Sequence, residues 1–189
     1  MSIDDGSEKL IVFPSELGWM SLRMRGATVR QLSFGHASAA AAIRAIAPGR
    51  VAANELSKRQ SEVVARLRCY AQGGLVDFSD LPVDSCFTTE FQAHVLKACR
   101  AISYGETLTY GELAALAHAP GAARAVGNCM ANNRVPLIIP CHRVVRAGGD
   151  IGPYSAAGGS ATKRRLLKME AANCGESSPL LESAAGKAS

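Results

Sequence analysis

The sequence predicts a small α/β domain followed by a mostly helical domain. Three features carry that expectation. Two strand-like runs, Leu17–Met24 and Thr28–Phe34, flank an Arg25-Gly26-Ala27 turn. Two short helical patterns flank Pro120-Gly121. Between these halves, Leu81-Pro82-Val83-Asp84 reads as a linker. The expected boundaries are a flexible N-terminus over 1–9, an α/β domain over 10–84, a second domain over 85–172 and a flexible tail over 173–189.

In the first half, Val29, Gln31 and Ser33 alternate with Leu32 and Phe34, which suits a half-buried strand. Ser38–Ile46 is alanine-rich and predicted helical, stopped by Pro48-Gly49. Glu55–Ala71 is a stronger helix, with Val63, Val64, Leu67 and Tyr70 at helical spacing and Gly73-Gly74 after it. Leu75–Phe78 reads as a short strand. His36 lacks Cys or His neighbours at metal-ligand spacing, so no metal is expected.

The second half opens with a helix over Glu90–Ile102, Thr89 and Gln92 forming a capping box and Phe91, Val95, Ala98 and Ile102 a buried stripe. Thr109 and Glu112 repeat the box before a helix over Tyr110–Ala117. A second helix follows over Ala122–Ala131. The pair is either a helix-turn-helix or a simple αα-hairpin. Small residues (Ala122, Ala123, Ala125, Gly127, Ala131) on the second helix allow close approach to a surface, and Arg124 supplies a long cation. Lys163–Glu170 is the last predicted helix.

Composition bounds the chemistry. The 189 residues are 48% hydrophobic and 20% charged, as expected of a soluble globular protein. No run is long and apolar enough for a membrane span, and the N-terminus lacks the apolar centre of a signal peptide. Six cysteines, at positions 69, 86, 99, 129, 141 and 174, show no CxxC pairing. Reduced thiols in the cytoplasm (or in the nucleus, in a eukaryote) are expected. Net charge is +5 overall; residues 85–172 carry that same excess, while residues 1–84 carry +1. A basic second half suits a polyanion partner.

The chemical centre is Ile138-Ile139-Pro140-Cys141-His142-Arg143-Val144-Val145. A histidine beside a cysteine, with Arg143 and Arg146 near, favours thiolate character. A buried structural cysteine is the alternative.

Pro140-Cys141-His142-Arg143-Val144 resembles the active-site motif of the O6-alkylguanine-DNA alkyltransferases. Further matches lie in order: Phe91-Gln92, Tyr110, Ala122-Ala123-Arg124-Ala125-Val126-Gly127, Asn133, Lys163 and Glu170. The resemblance covers about residues 70–172 well and the first domain in outline. It implies a ribonuclease-H-like N-terminal domain and a winged-helix-like helix-turn-helix.

The resemblance also assigns roles. Cys141 is the alkyl acceptor, His142 its base and Glu170 the orienting carboxylate, while Asn133 braces the active-site turn. Tyr110, Ala123, Arg124, Val144, Ser155, Gly158 and Lys163 are the implied substrate and DNA contacts. Arg124 would fill the gap left by a nucleotide rotated out of the duplex through the minor groove. Main-chain carbonyls of Cys141 and Val144 would read the exocyclic amine of guanine, and backbone N–H groups at Ser155 and Gly158 would donate to O6. The implied partner is double-stranded DNA containing O6-alkylguanine, with no cofactor, no membrane and no obligate protein partner for a monomer. A relative that binds alkylated DNA without transfer is the alternative; such relatives lack the cysteine.

Two departures stand out. Leu96 replaces the family's usual tryptophan. The run Tyr154-Ser155-Ala156-Ala157-Gly158-Gly159 is two residues longer than the usual Tyr-Ser-Gly-Gly.

Overall fold

The computed structural model describes residues 8–46, 56–84 and 89–174. The chain divides into two compact units, residues 1–85 and 86–189.

In the first unit, β1 (Glu8–Phe13), β2 (Trp19–Arg25) and β3 (Thr28–His36) form an antiparallel meander in that order. β1 lies partly inside the stretch expected to be a flexible N-terminus. Leu10, Ile11 and Phe13 are buried on it, and hydrophobic burial of side chains this size stabilises by about 1.5–3 kcal/mol each. β3 departs from simple alternation. Met24 pairs with Val29 while Arg23 pairs with Gln31, so Arg30 is an extra residue in the ladder. That bulge shifts the phase and turns both Val29 and Leu32 inward. Arg30 then reaches Asp84 at 2.7 Å and Glu8 at 3.3 Å.

α1 (Ala39–Ala45) starts at Ser38, whose hydroxyl accepts the Ala41 N–H. α2 (Lys58–Ala71) starts at a full capping box between Ser57 and Gln60, and Glu55, the expected start, lies outside the described residues. Its buried stripe contains the four predicted residues, Val63, Val64, Leu67 and Tyr70. No strand forms over Leu75–Phe78. Leu75 is exposed, and Phe78 instead packs on Tyr70 with ring centroids 6.0 Å apart. The expected linker is what pairs with the sheet: Val83 bridges Val29 in parallel, fixed by Val29 N–H to Pro82 O and Asp84 N–H to Val29 O.

The second unit contains α3 (Glu90–Arg100), β4 (Leu108–Thr109), α4 (Tyr110–Leu116), α5 (Ala123–Ala131), β5 (Val144–Val145) and α6 (Gly159–Asn173). Thr89 caps α3 by accepting the Gln92 N–H. Its buried residues are Val95 and Cys99, so Cys99 holds the inward position expected of Ala98. Thr109 and Glu112 form both halves of a capping box on α4. Ala117–Ala122 joins α4 to α5, with Gly121 at φ +85°. β4 and β5 pair in parallel, Leu108 to Val144 and Thr109 to Val145, and so bring the residues after Cys141 beside the start of α4. α6 is longer than predicted at both ends and includes Asn173, which had been expected in the flexible tail; residues 175–189 of that tail lie outside the described residues. Among the described residues, no helix is long and apolar enough to cross a membrane.

Candidate active site

The reactive stretch is fixed before any partner reaches it. Leu137 takes φ +71°, an uncommon value for a branched residue, and turns the chain inward. Cys141–Arg143 then forms one 3-10 turn, with Arg143 N–H donating to Pro140 O at 2.9 Å. Asn133 braces this turn from α5's C-terminal side. Its amide donates to Ile139 O at 2.8 Å and to the Cys141 sulfur at 3.1 Å, and its carbonyl accepts Val135 N–H.

Cys141 is buried, and burial pushes its thiol pKa up. The Asn133 donor, the Lys163 charge and the Tyr154 hydroxyl act in the opposite direction without reversing it. The resting group is therefore a thiol, and nucleophilic chemistry there needs a base.

His142 and Glu170 supply a coupled acid–base pair, also buried. His142 Nε2 lies 2.9 Å from Glu170 Oε1. Burial would raise the Glu170 pKa, but hydrogen bonds and charge from His142 and Arg143 outweigh it and hold the carboxyl well below its usual range. An ionised carboxylate accepts only, so Nε2 carries the proton and Nδ1 keeps the basic lone pair. Burial lowers the His142 pKa despite Glu170, which keeps the imidazole neutral.

Sequence reasoning treated Arg143 only as local positive charge. The structure buries it against Glu170, with Nε and one terminal nitrogen each 2.9 Å from the carboxylate oxygens. Its other terminal nitrogen donates to Ile102 O at 2.7 Å, and Gly105 N–H completes the set on Glu170 at 3.1 Å. The available signal was a lone arginine between apolar pairs in a run that must be buried; such a charge requires a buried partner.

Lys163, expected to touch substrate or DNA, is wholly buried. Its ammonium donates to the main-chain carbonyls of Val144 and Pro153, and burial pushes its pKa down to about 8. It pins two loops rather than facing outward. The carbonyls expected to read guanine are both engaged: Val144 O accepts Lys163, and Cys141 O accepts Val144 N–H. A second lone pair remains on each.

A cavity of about 170 Å³ opens onto Cys141 and is lined by Tyr110, Gly127, Met130, Ala131, Pro153, Tyr154 and Ser155. Ser155 and Tyr110, both implied substrate contacts, thus lie on the wall of the cavity that holds Cys141. Gly158 does not line it; it is the left-handed N-cap residue of α6, at φ +82°. Ala123 and Arg124 lie on the first turn of α5, with Arg124 exposed. Among the described residues, no three His, Cys, Asp or Glu side chains gather as a metal-ligating group.

Fold and cavity together define a protein that opens a buried cysteine onto a cavity beside two short helices joined by a tight turn. Residues 90–172 match the family model described as the 6-O-methylguanine DNA methyltransferase DNA-binding domain. The chain is 44% identical over 110 residues to the methylated-DNA–protein-cysteine methyltransferase of Mycobacterium leprae, covering 58% of this chain and 64% of that protein. It is 40% identical over 123 residues to the protein of the same name from Mycolicibacterium paratuberculosis, covering 65% and 72%. It also resembles the crystal structure of Mycobacterium tuberculosis OGT in complex with DNA, with TM-score 0.68 and 32% identity over 87% of this chain and 94% of that one. The chain belongs to the methylated-DNA–protein-cysteine methyltransferase family. It spans just under two thirds of the Mycobacterium leprae protein by sequence alignment.

Proposed function

We propose that this protein repairs DNA by moving an alkyl group from guanine O6, or from the chemically similar O4 of thymine, onto Cys141. The observation that carries the reading is a buried thiol opening onto a cavity, with an amide donor at 3.1 Å and a His–carboxylate pair behind it. An alkylated base inside a duplex is out of reach, so the nucleotide rotates out and enters the cavity. α5 lies in the minor groove, Ala123 permits close approach, and Arg124 takes the vacated place in the stack.

The thiol proton passes to His142 Nδ1 through a water. Glu170 stabilises the imidazolium that forms, and Arg143 holds Glu170 in place. The sulfur attacks the alkyl carbon, an S–C bond forms and the O6–C bond breaks. Its electrons return to the guanine ring, which takes up one proton; the Tyr110 hydroxyl donates toward N3. Guanine leaves intact and Cys141 remains a thioether. No cofactor enters this balance, and each molecule acts once.

The same reading makes the N-terminal sheet ribonuclease-H-like and the β4–β5 pair beside the two helices winged-helix-like. It makes the protein a monomer acting on double-stranded DNA in the cytoplasm, or in a eukaryotic nucleus. Intact and peptide mass after incubation with an O6-methylguanine duplex tests the reaction. One methyl per protein on the Cys141 peptide is expected, and none after Cys141→Ser. Tight lesion binding without mass gain would replace transfer with lesion recognition alone.

A further inference from the structure

Two of the chain's four histidines take no part in the alkyl-transfer site, yet they meet each other. His94 lies on α3 and His118 follows α4, both exposed. Their rings approach edge to face, with centroids 5.8 Å apart and planes at 83°. Glu90, one turn before His94, brings a carboxylate oxygen 4.0 Å from its Nε2. The other two histidines are engaged elsewhere, His36 with Ser33 at 2.7 Å and His142 with Glu170 at 2.9 Å.

The backbone holds His118 where a histidine is not the easiest choice. α4 ends in a Schellman arrangement, in which Ala119 N–H donates to Ala114 O at 2.9 Å and His118 N–H to Ala115 O at 3.0 Å. His118 therefore sits at φ +60°, the left-handed position that glycine fills most readily. Among the described residues, the non-glycine residues with positive φ are His118 and Leu137, and Leu137 turns the chain toward Cys141. A side chain at this position costs stability that glycine would not. From it, the imidazole reaches α3 out of the turn that leads into α5.

We propose that His94 and His118 bind one divalent transition-metal ion of the zinc and nickel class, clamping α3 to the turn between α4 and α5. Imidazole nitrogens are preferred ligands of such ions. Metal–nitrogen bonds of about 2.0–2.1 Å hold two coordinated rings with centres roughly 5–6 Å apart, so the present spacing already suits a shared ion. Turning each ring about χ2, a soft torsion, aims one nitrogen of each at the ion. Water fills the remaining positions, since among the described residues no third His, Cys, Asp or Glu completes a metal-ligating group. The Glu90 carboxylate adds negative charge beside the site and orients the His94 ring. No step of the alkyl transfer runs through the ion, so the proposal stands apart from that reading.

The test is calorimetric titration of the full chain with Ni²⁺, paired with thermal melts followed by circular dichroism. One Ni²⁺ per chain is expected, with a midpoint that rises with Ni²⁺ concentration and returns on adding EDTA. His94→Gln and His118→Gly should each weaken Ni²⁺ binding by about tenfold or more, because the second ligand acts at high effective concentration. Each should also remove the rise in midpoint. Glycine suits the left-handed position, so without metal the His118→Gly protein should melt no earlier than the unsubstituted one. Absence of binding to the unsubstituted protein overturns the proposal. So does binding that survives in either variant, which would put the ion elsewhere, such as on the exposed thiols of Cys69 or Cys174. An earlier metal-free melt in His118→Gly overturns it as well, because the imidazole pair would then be a packing contact.

Discussion

The two units place their charges in opposite ways. In the N-terminal unit the ion pairs lie at the surface: Arg66 to Asp80 at 2.7 Å, Arg59 to Glu62 at 3.5 Å, Arg30 to Glu8 and Asp84. Its interior is mostly hydrocarbon, with Met20, Leu22, Met24, Phe34 and Leu67 essentially inaccessible; among the described residues its buried polar side chains, Ser21 and Gln60, are uncharged. In the C-terminal unit, His142, Arg143, Lys163 and Glu170 are all buried; the Lys163 charge acts on the Cys141 thiol, and the other three are joined through the Glu170 carboxylate. Surface pairs add little to stability, whereas buried charges are costly unless every member is matched. The first arrangement tolerates change. The second keeps a neutral imidazole, an ionised carboxylate and a thiol at fixed distances.

Removing one member of the buried set should produce the largest effect. Glu170→Ala leaves Arg143 buried without its carboxylate, and the expected loss is about 3–5 kcal/mol, read as a lower urea midpoint for the C-terminal unit. A loss below 1 kcal/mol would mean the arginine escapes to solvent.

Acid should separate the units next. His142 is held below its ordinary pKa of 6.5 by burial, so on acidification the unfolded chain takes up that proton before the folded one. Its contribution is complete above about 6.5 and is lost as the pH falls further. Glu170, also lowered, adds a second loss in the same direction below its ordinary 4.5. Trp19, the chain's single tryptophan, lies on β2 and reports the first unit alone. Between pH 7.5 and 5.5 the thermal midpoint read by circular dichroism, which reports the helices of both units, should fall more than the midpoint read by Trp19 fluorescence. Parallel shifts would contradict the contrast.

The smallest effect belongs to the surface. Arg66→Ala breaks a two-bond pair with Asp80 and a stacking contact on Phe78, and the expected change in Trp19-monitored stability is within about 1 kcal/mol. A larger loss would show that the stacked arginine is a core element.

Local rules explain which features the sequence revealed. Thr109 with Glu112, and the helical spacing of Val63, Val64, Leu67 and Tyr70, are short-range patterns, and the helices follow them. The β3 bulge was not readable, because an extra residue in a ladder depends on the partner strand. Val83 joined the sheet instead of Leu75–Phe78 because main-chain pairing followed the position of β3 rather than local hydrophobicity. In the site, the family motif pointed to Cys141, His142, Glu170 and Asn133; Asn133 reaches the Cys141 sulfur, and His142 pairs with Glu170. Arg143 and Lys163 were misjudged for one reason: a cation in sequence looks like a surface group, and only tertiary packing shows the carboxylate or carbonyls that let it turn inward.

The longer loop after Tyr154 has a consequence for how this chain tolerates change in length. Gly159 N–H donates to Ala156 O at 3.0 Å, and Gly158 holds φ +82°, ψ −3°, the geometry of the third position in a type II turn. Thr162 caps the same turn through Ala157 O. The two additional alanines thus close on themselves, while Tyr154 and Ser155 stay at the cavity wall. A segment that satisfies its own backbone resists change in length: peptide inserted between Ala156 and Ala157 would separate Ala156 O from Gly159 N–H and open the turn.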